Sequence, residues 1–339
     1  MADWPRVLIE DWRAELGAFD VIADQRSIPR VDDREHFGFR DGISQPAIEG
    51  DPVPPQVGQE VVRAGEFVLG YPNQYGKLPL SPSVPSGGDR GQLELSPDGR
   101  LDLGRNGTFL VFRKLEQDVE AFWSFFRAAA RAEDGSERPE VATYLAAKSV
   151  GRWPSGAPLV LSPERDDPAL GADPARNNDF RFASADPHGL LCPVSSHIRR
   201  ANPRDAKGPL PEESLEVTAR HRIIRRGRMY QEAGGARGVL FVCVNANLRR
   251  QFEFLQQSWV CNPKFEGLRD ERDPTTGNSD GGPASCFRIP ARTYRRRLTN
   301  LPRFVHVRGG AYLFMPGIAA LHWLAGAGAG YNANGRSGG

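Results

Sequence analysis

The sequence predicts an α+β protein built on an antiparallel sheet. Two strand–helix units carry this prediction. "GTFLVFRKL" runs into "EQDVEAFWSFFRAAARA" (107–132), and "GVLFVCVNAN" runs into "LRRQFEFLQQSWV" (238–260). "FVHVRGGAYLFMP" (304–316) adds two late strands around a Gly-Gly turn or bulge. Four antiparallel strands with two helices on one face are the natural arrangement for such an order.

Each element rests on its own pattern. Residues 1–35 are mixed, with short apolar runs at Val7–Ile9 and Phe19–Ile22. Residues 50–105 are rich in Pro, Gly and Ser. Within them "GEFVLGYP" (65–72) reads as a short strand, and 72–100 as a long loop of the kind that is functional or disordered. Val119, Phe122, Trp123, Phe126 and Ala130 fall close to helical spacing after the apolar run at 107–115. Residues 151–230 are long and polar, with "PERDDPALGADPARNNDF" as loop. "GIAALHWLAGAG" (317–328) is a short terminal helix, and 326–339 a flexible tail.

At 339 residues the chain suits one large domain or two medium ones. A chain of this size buries roughly 75% of its unfolded surface, enough to enclose a cavity. Lys+Arg 44 against Asp+Glu 42 gives a net charge of +2, no global case for nucleic acid or a membrane surface. Cys192, Cys243, Cys261 and Cys286 form no CxxC pair and no zinc spacing, so reduced thiols in a cytoplasmic setting are expected. The first residues show no apolar signal core, and no window reaches a membrane span.

Three stretches could carry chemistry. In "CPVSSHIRRANPRD" (192–205), His197 is open to three readings: metal ligand, base, or partly buried polar residue. Its neighbours Arg199, Arg200 and Arg204 suit an anionic group beside it, because guanidinium pairs bidentately with carboxylates. An iron porphyrin combines two carboxylates with a metal that accepts an axial histidine. In "ARHRIIRRGRMY" (219–230), the arginines are a protected strand edge, an anion patch, or a source of one guanidinium aimed into a cavity. In "HFGFRDGISQP" (36–46), Asp41 either caps a turn or acts as an acid–base group at a pocket edge.

Together "GFRDG" (38–42), "HIRRANPR" (197–204) and "RIIRRGRMY" (222–230) resemble the dye-decolorizing peroxidases, a family of haem enzymes. "NGTFLVFRKLEQDVEAFW" and "RGGAYLFMPG" resemble the second half of the same family, and the likeness runs from about residue 30 to 325. The resemblance implies ferredoxin-like halves of the dimeric α+β barrel type. Residues 1–105 would be an incomplete N-terminal half carrying G-x-x-D-G and the long loop. Residues 106–325 would be the haem-binding half. The motif arrives at residue 38, earlier than the family pattern, so the first half is expected to lack its opening strand–helix–strand.

Residue by residue, the resemblance implies His197 as the axial iron ligand, Asp41 as distal acid–base residue and Arg225 as distal arginine. Arg204 would contact a haem propionate. Asp273 would accept the His197 N–H, with Asp270 as its competitor. One haem b per chain, hydrogen peroxide and an organic reductant complete the expectation, with dyes or phenols as bulky reductants oxidised through a surface Trp or Tyr. Neither nucleic acid nor membrane is expected as partner, and a homo-oligomer stays open. The alternatives are a haem-binding or haem-handling protein without efficient turnover, and an anion- or nucleic-acid-binding module built on the arginines at 220–228 and 295–297.

Overall fold

The computed structural model describes residues 24–28, 33–86 and 91–333, and the side chains of those up to 326. The apolar runs at Val7–Ile9 and Phe19–Ile22 lie outside the described residues. Strands β1 (Ala47–Ile48) and β2 (Val61–Val62) form a short parallel ladder, and β3 (Ser83–Val84) pairs antiparallel with β4 (Leu101–Asp102). The main sheet is antiparallel and five-stranded. Its order is β11 (Val305–Met315), β5 (Thr108–Gln117), β8 (Arg237–Asn245), then β6 (Ile224–Arg225) and β7 (Arg228–Gln231), both on β8. A separate hairpin joins β9 (Cys286–Pro290) to β10 (Arg295–Thr299). The fold is thus α+β, and among the described residues no sheet closes into a barrel.

Helix α1 (Val119–Ala130) begins where the Asp118 carboxylate accepts from Ala121 N–H, satisfying one of the free donors of the first turn. It buries Phe122, Phe126 and Ala130, the stripe that the spacing marks. Helix α2 (Pro139–Val150), which the sequence reading does not pick out, starts with Pro at its first position and ends on Gly151 at φ +97°. Its buried face combines Ala142, Ala146 and Ala147 with Leu145, Lys148 and Ser149, a pattern with little apolar contrast. The principal core lies between α1, α2 and the β9–β10 hairpin, with Phe37 and Phe39 inserted: Phe37 stacks on Phe122 at 4.3 Å, and Phe39 on Trp123 at 6.3 Å. On the sheet, Val111 and Cys243 are fully buried and pack against Phe252.

Several local expectations change. "GEFVLGYP" is no strand. Ala64–Glu66 makes one tight helical turn, because Gly65 sits where a Cβ would fall 2.1 Å from Tyr71 O and Glu66 turns inward to meet Arg250 at 2.7 Å. "FVHVRGGAYLFMP" is one continuous strand with a bulge between Val307 and Gly309, where the Gly pair relaxes the backbone. "LRRQFEFLQQSWV" is helical but widened, with Glu253 N–H donating to Leu248 O and Cys261 N–H to Gln256 O, five residues back, both 2.9 Å. The polar stretch 151–230 folds into short helices: α3 (Pro168–Ala172), α4 (Phe182–Ala185), α5 (His197–Ala201) and α6 (Pro211–Ala219). Helix α7 (Ile318–Ala333) continues into the stretch read as tail, since backbone bonding extends through its Ala-rich turns. Residues 334–339 lie outside the described residues. Strand β11 leaves Val307, Tyr312, Leu313 and Met315 exposed, and no described helix is long and apolar enough to cross a membrane.

Candidate active site

His197 opens α5, behind Ser196. Its Nδ1 lies 2.7 Å from Asp273 Oδ2, which leaves Nε2 for the cavity that His197 lines. Asp273 is fully buried, and its other oxygen accepts from Thr275 N–H and Thr276 N–H at 2.8 Å. Burial alone would push the Asp273 carboxyl up. The His197 ring and those N–H groups overcome this and hold it below the ordinary value. Burial likewise works against a charged His197, but Asp273 prevails and holds the imidazole above its ordinary value. The ring is deep in the protein yet keeps 28% of its side-chain surface, because one edge opens on the cavity.

The support for Asp273 comes from residues flanking His197. Arg200 is fully buried and donates to the carbonyls of Trp259, Asn262 (3.0 Å) and Glu271. It ties the end of the widened helix to the segment carrying Asp273, whose N–H also reaches Val260 O at 2.9 Å. Arg199 pairs with Asp186 at 3.3 Å. Neither therefore serves an anion beside His197, as their position in sequence suggests. Both are spent inside the protein, where unpaired guanidinium N–H groups would be costly. Asp270 is taken by Arg288, with Nη2–Oδ2 at 3.0 Å, so Asp273 alone of the two candidates meets His197.

Asp41 reaches the same site from the other end of the chain. Its Oδ1 lies 4.0 Å from Arg225 Nη2 and accepts from Gly42 N–H at 2.6 Å. Arg225 donates from Nη2 to Ile43 O at 3.0 Å. Gln45 locks the two segments together: its Oε1 accepts from Arg225 N–H, and its Nε2 donates to Arg225 O, both 3.2 Å. The Asp41 and Arg225 charges both act on His197. Thus Asp41, His197, Arg225 and Asp273 are brought together.

The cavity, about 640 Å³ including its mouth, is lined by His197, Arg225, Arg222, Arg204, Arg152 and Phe180 among others. Arg204 donates to Asn178 O (2.9 Å) and Phe180 O (3.0 Å), and with Arg152 it flanks the Phe180 ring. Arg222 meets Glu60 at 3.3 Å. Burial lowers Arg152 to about 9 and Arg204 to about 10, and lowers Arg222 as well. Four guanidinium groups facing one cavity with few carboxylates favour an anionic occupant. A porphyrin iron with two carboxylates fits this donor set. His197 offers a bare imidazole nitrogen, and no group of three or more metal-ligating side chains converges among the described residues, so the remaining iron ligands would come from the porphyrin. Sequence reasoning missed Arg152, Gln45, Phe180 and His221. Gln45 and His221 lie inside stretches singled out for other residues, 36–46 and 219–230, while Arg152 and Phe180 carry no motif signal. His221 lines the cavity, stacks on Phe254 at 3.9 Å and meets Trp259 edge-on at 5.2 Å. A second hollow, near Val194 and Phe265, holds Arg199 and Glu266, both already ion-paired.

The α+β fold thus sets a carboxylate-backed histidine and an aspartate–arginine pair beside one arginine-lined cavity. The chain is 36% identical over 307 residues to a dye-decolorizing peroxidase of Exidia glandulosa, covering 85% of this chain and 55% of that protein. It superposes on the crystal structure of a decolorizing peroxidase from Auricularia auricula-judae with a TM-score of 0.73 at 33% identity, over 93% of this chain and 72% of that one. A dye-decolorizing peroxidase in complex with 2,6-dimethoxyphenol matches with a TM-score of 0.71 at 28% identity, over 95% of this chain and 71% of that one. No family model matches. The chain belongs to the dye-decolorizing peroxidase family, and spans about half the length of the curated relatives it matches.

Proposed function

We propose that this chain is a haem-dependent peroxidase that reduces hydrogen peroxide and oxidises dyes or other bulky aromatic and phenolic reductants. The observation that carries the reading is that His197, backed by Asp273, and Arg225, with Asp41 at 4.0 Å from its guanidinium, line one arginine-rich cavity. One haem b would be held through His197 Nε2, with Arg204, Arg222 and Arg152 offsetting its carboxylates. Bound haem would supply the redox chemistry, passing two electrons from the organic reductant to peroxide.

The protein residues supply the rest. Asp273 Oδ2 accepts the Nδ1–H of His197, fixing the tautomer that leaves Nε2 bare and making the ring a stronger donor. The Asp41 carboxylate takes the proton from one peroxide oxygen and returns it to the other, which leaves as water. The Arg225 guanidinium stabilises the negative charge that develops while that proton is in transit. With two electrons from the reductant and two further protons, the other peroxide oxygen becomes the second water.

The test is an absorbance spectrum of the haem-loaded protein, followed by peroxide-driven dye oxidation. His197→Ala is expected to lose the haem band. Asp41→Asn and Arg225→Leu are expected to keep it while turnover falls roughly 100-fold or more, the scale of a lost acid–base or charge-stabilising group. A wild-type haem band in His197→Ala overturns the ligand assignment. Haem binding with no peroxide turnover in the wild type selects the haem-handling alternative.

A further inference from the structure

The mechanism leaves several inward-facing carboxylates unused, and Glu35 is the one that stands beside Asp41 in sequence. Glu35 lies six residues before Asp41. Its Oε2 accepts from Phe37 N–H at 2.8 Å and its Oε1 from Phe39 N–H at 2.9 Å, while Gln117 at the end of β5 donates to Oε2 as well. The residue keeps some surface, yet both oxygens are occupied. No cation among the described residues pairs with it. Burial pushes its carboxyl above the ordinary value, against the pull of those three hydrogen bonds. A carboxyl group set where burial opposes its charge, with both oxygens committed to one loop, calls for a reason.

The segment it holds supplies one. Between residues 33 and 44, Asp33 (φ +55°), Gly38 (φ +94°), Gly42 (φ +88°) and Ser44 (φ +67°) all adopt the left-handed region. Asp33 and Ser44 carry the Cβ clash that glycine escapes. Strain at such a density persists only where surrounding contacts over-determine it. Here Glu35 N–H donates to Phe39 O, Asp41 N–H to Asp33 O, and Arg34 to Gly38 O, so residues 33–41 form a closed loop with the Glu35 carboxylate at its centre. Phe37 and Phe39 then anchor that loop in the core. Trp123 adds a bond to Phe37 O at 3.1 Å.

We infer that Glu35 is a positioning residue for Asp41: its two oxygens close the 35–39 loop and so set where the Asp41 carboxylate stands relative to Arg225. The inference rests on the reading of Asp41 as the proton-transfer group. A carboxylate suits this task because it offers two acceptor oxygens to two backbone N–H groups that point the same way. Glutamine offers one. Glu35→Gln therefore strands either Phe37 N–H or Phe39 N–H and lets the loop relax toward unstrained backbone.

A double-mutant cycle on the haem-loaded protein tests it. The rate of the first peroxide-consuming step is measured for wild type, Glu35→Gln, Asp41→Asn and the double variant. Glu35→Gln is expected to slow that step roughly ten- to hundred-fold, the scale of a misplaced catalytic group, and the double variant to be no slower than Asp41→Asn. Effects that multiply overturn the inference and leave the role of Asp41 standing. Asp41→Asn at the wild-type rate instead overturns the reading of Asp41, and the positioning role with it. Amide hydrogen exchange in the haem-free protein gives a readout independent of turnover. The N–H groups of Phe37, Phe39 and Asp41 should exchange faster in Glu35→Gln while α1 and β5 stay protected, and unchanged exchange at those three overturns the clamp. Should Glu35→Gln not fold, Gln117→Leu removes one donor and keeps the carboxylate. It should show a smaller loss, again absent in the Asp41→Asn background, and a loss that persists there overturns the inference.

Discussion

At the scale of residues, the His197–Asp273 pair shows how one contact serves both stability and chemistry. In the haem-free protein the two groups titrate with opposite signs. Asp273 is held below its ordinary 3.8, so its contribution is present above 3.8 and is lost as pH falls through the depressed value. His197 is held above its ordinary 6.5, so its contribution is present below 6.5 and is lost as pH rises through the raised value. The pair is therefore strongest between these two ordinary values. We expect Asp273→Asn to destabilise haem-free protein by about 3 kcal/mol in that window, the scale for removing one partner of a buried pair, and by less on either side. Urea unfolding of both proteins from acid to alkaline pH measures this. A difference that does not vary with pH would show that the pair is not ionic in the absence of haem.

At the scale of elements, the site depends on close approaches that apolar periodicity does not report. Gly151 ends α2 at φ +97°, its N–H donating to Ala147 O at 2.7 Å. A Cβ there would lie 2.4 Å from Ile198 Cγ1, beside His197 on α5. Gly151→Ala should cost the left-handed strain of roughly 1–2 kcal/mol plus the displacement of Ile198, for a total of about 3 kcal/mol, and should loosen haem by shifting α5. Gly135→Ala, with φ +82° and open space around it, should cost the strain alone and leave haem affinity unchanged. Thermal unfolding and haem titration of both variants separate the two effects, and equal losses would show that α2 does not brace α5. The same contrast explains what was legible. Strands β5 and β8 announce themselves as apolar runs, and helix α1 by apolar residues at helical spacing. Helix α2 does not, since its buried face mixes alanine and leucine with a serine and a lysine whose ammonium meets the carbonyls of Leu190 and Leu191. Asp41, His197 and Arg225 were legible through motif resemblance, which left Asp273 in competition with Asp270. Arg152 and Gln45 were not, because what makes them part of the site is a fold that joins residue 45 to residue 225 and residue 152 to residue 178.

At the scale of the whole molecule, the cavity concentrates positive charge that the net charge of +2 conceals. Arg152, Arg204, Arg222 and Arg225 face one space, while Glu60 and Asp41 are the carboxylates that meet this group. Burial has already lowered three of the four guanidinium values, so an anion entering the cavity relieves a cost that the haem-free fold carries. Haem binding should then stabilise the whole fold by mass action, by about 2.7 kcal/mol at a free concentration a hundred times its Kd. For a chain of 339 residues that corresponds to a rise in Tm of about 4 °C. Part of this gain comes from the iron–His197 bond and part from the carboxylates, and the two are separable. Haem with both propionates esterified keeps the first and loses the second, so it should raise Tm less than haem itself. His197→Ala should show the converse, a residual rise with haem and almost none with the ester. Equal stabilisation of the wild type by both forms would mean that the arginines hold the protein together around Phe180 and Asn178 without recognising the ligand, and that the charge in the cavity awaits a different anion.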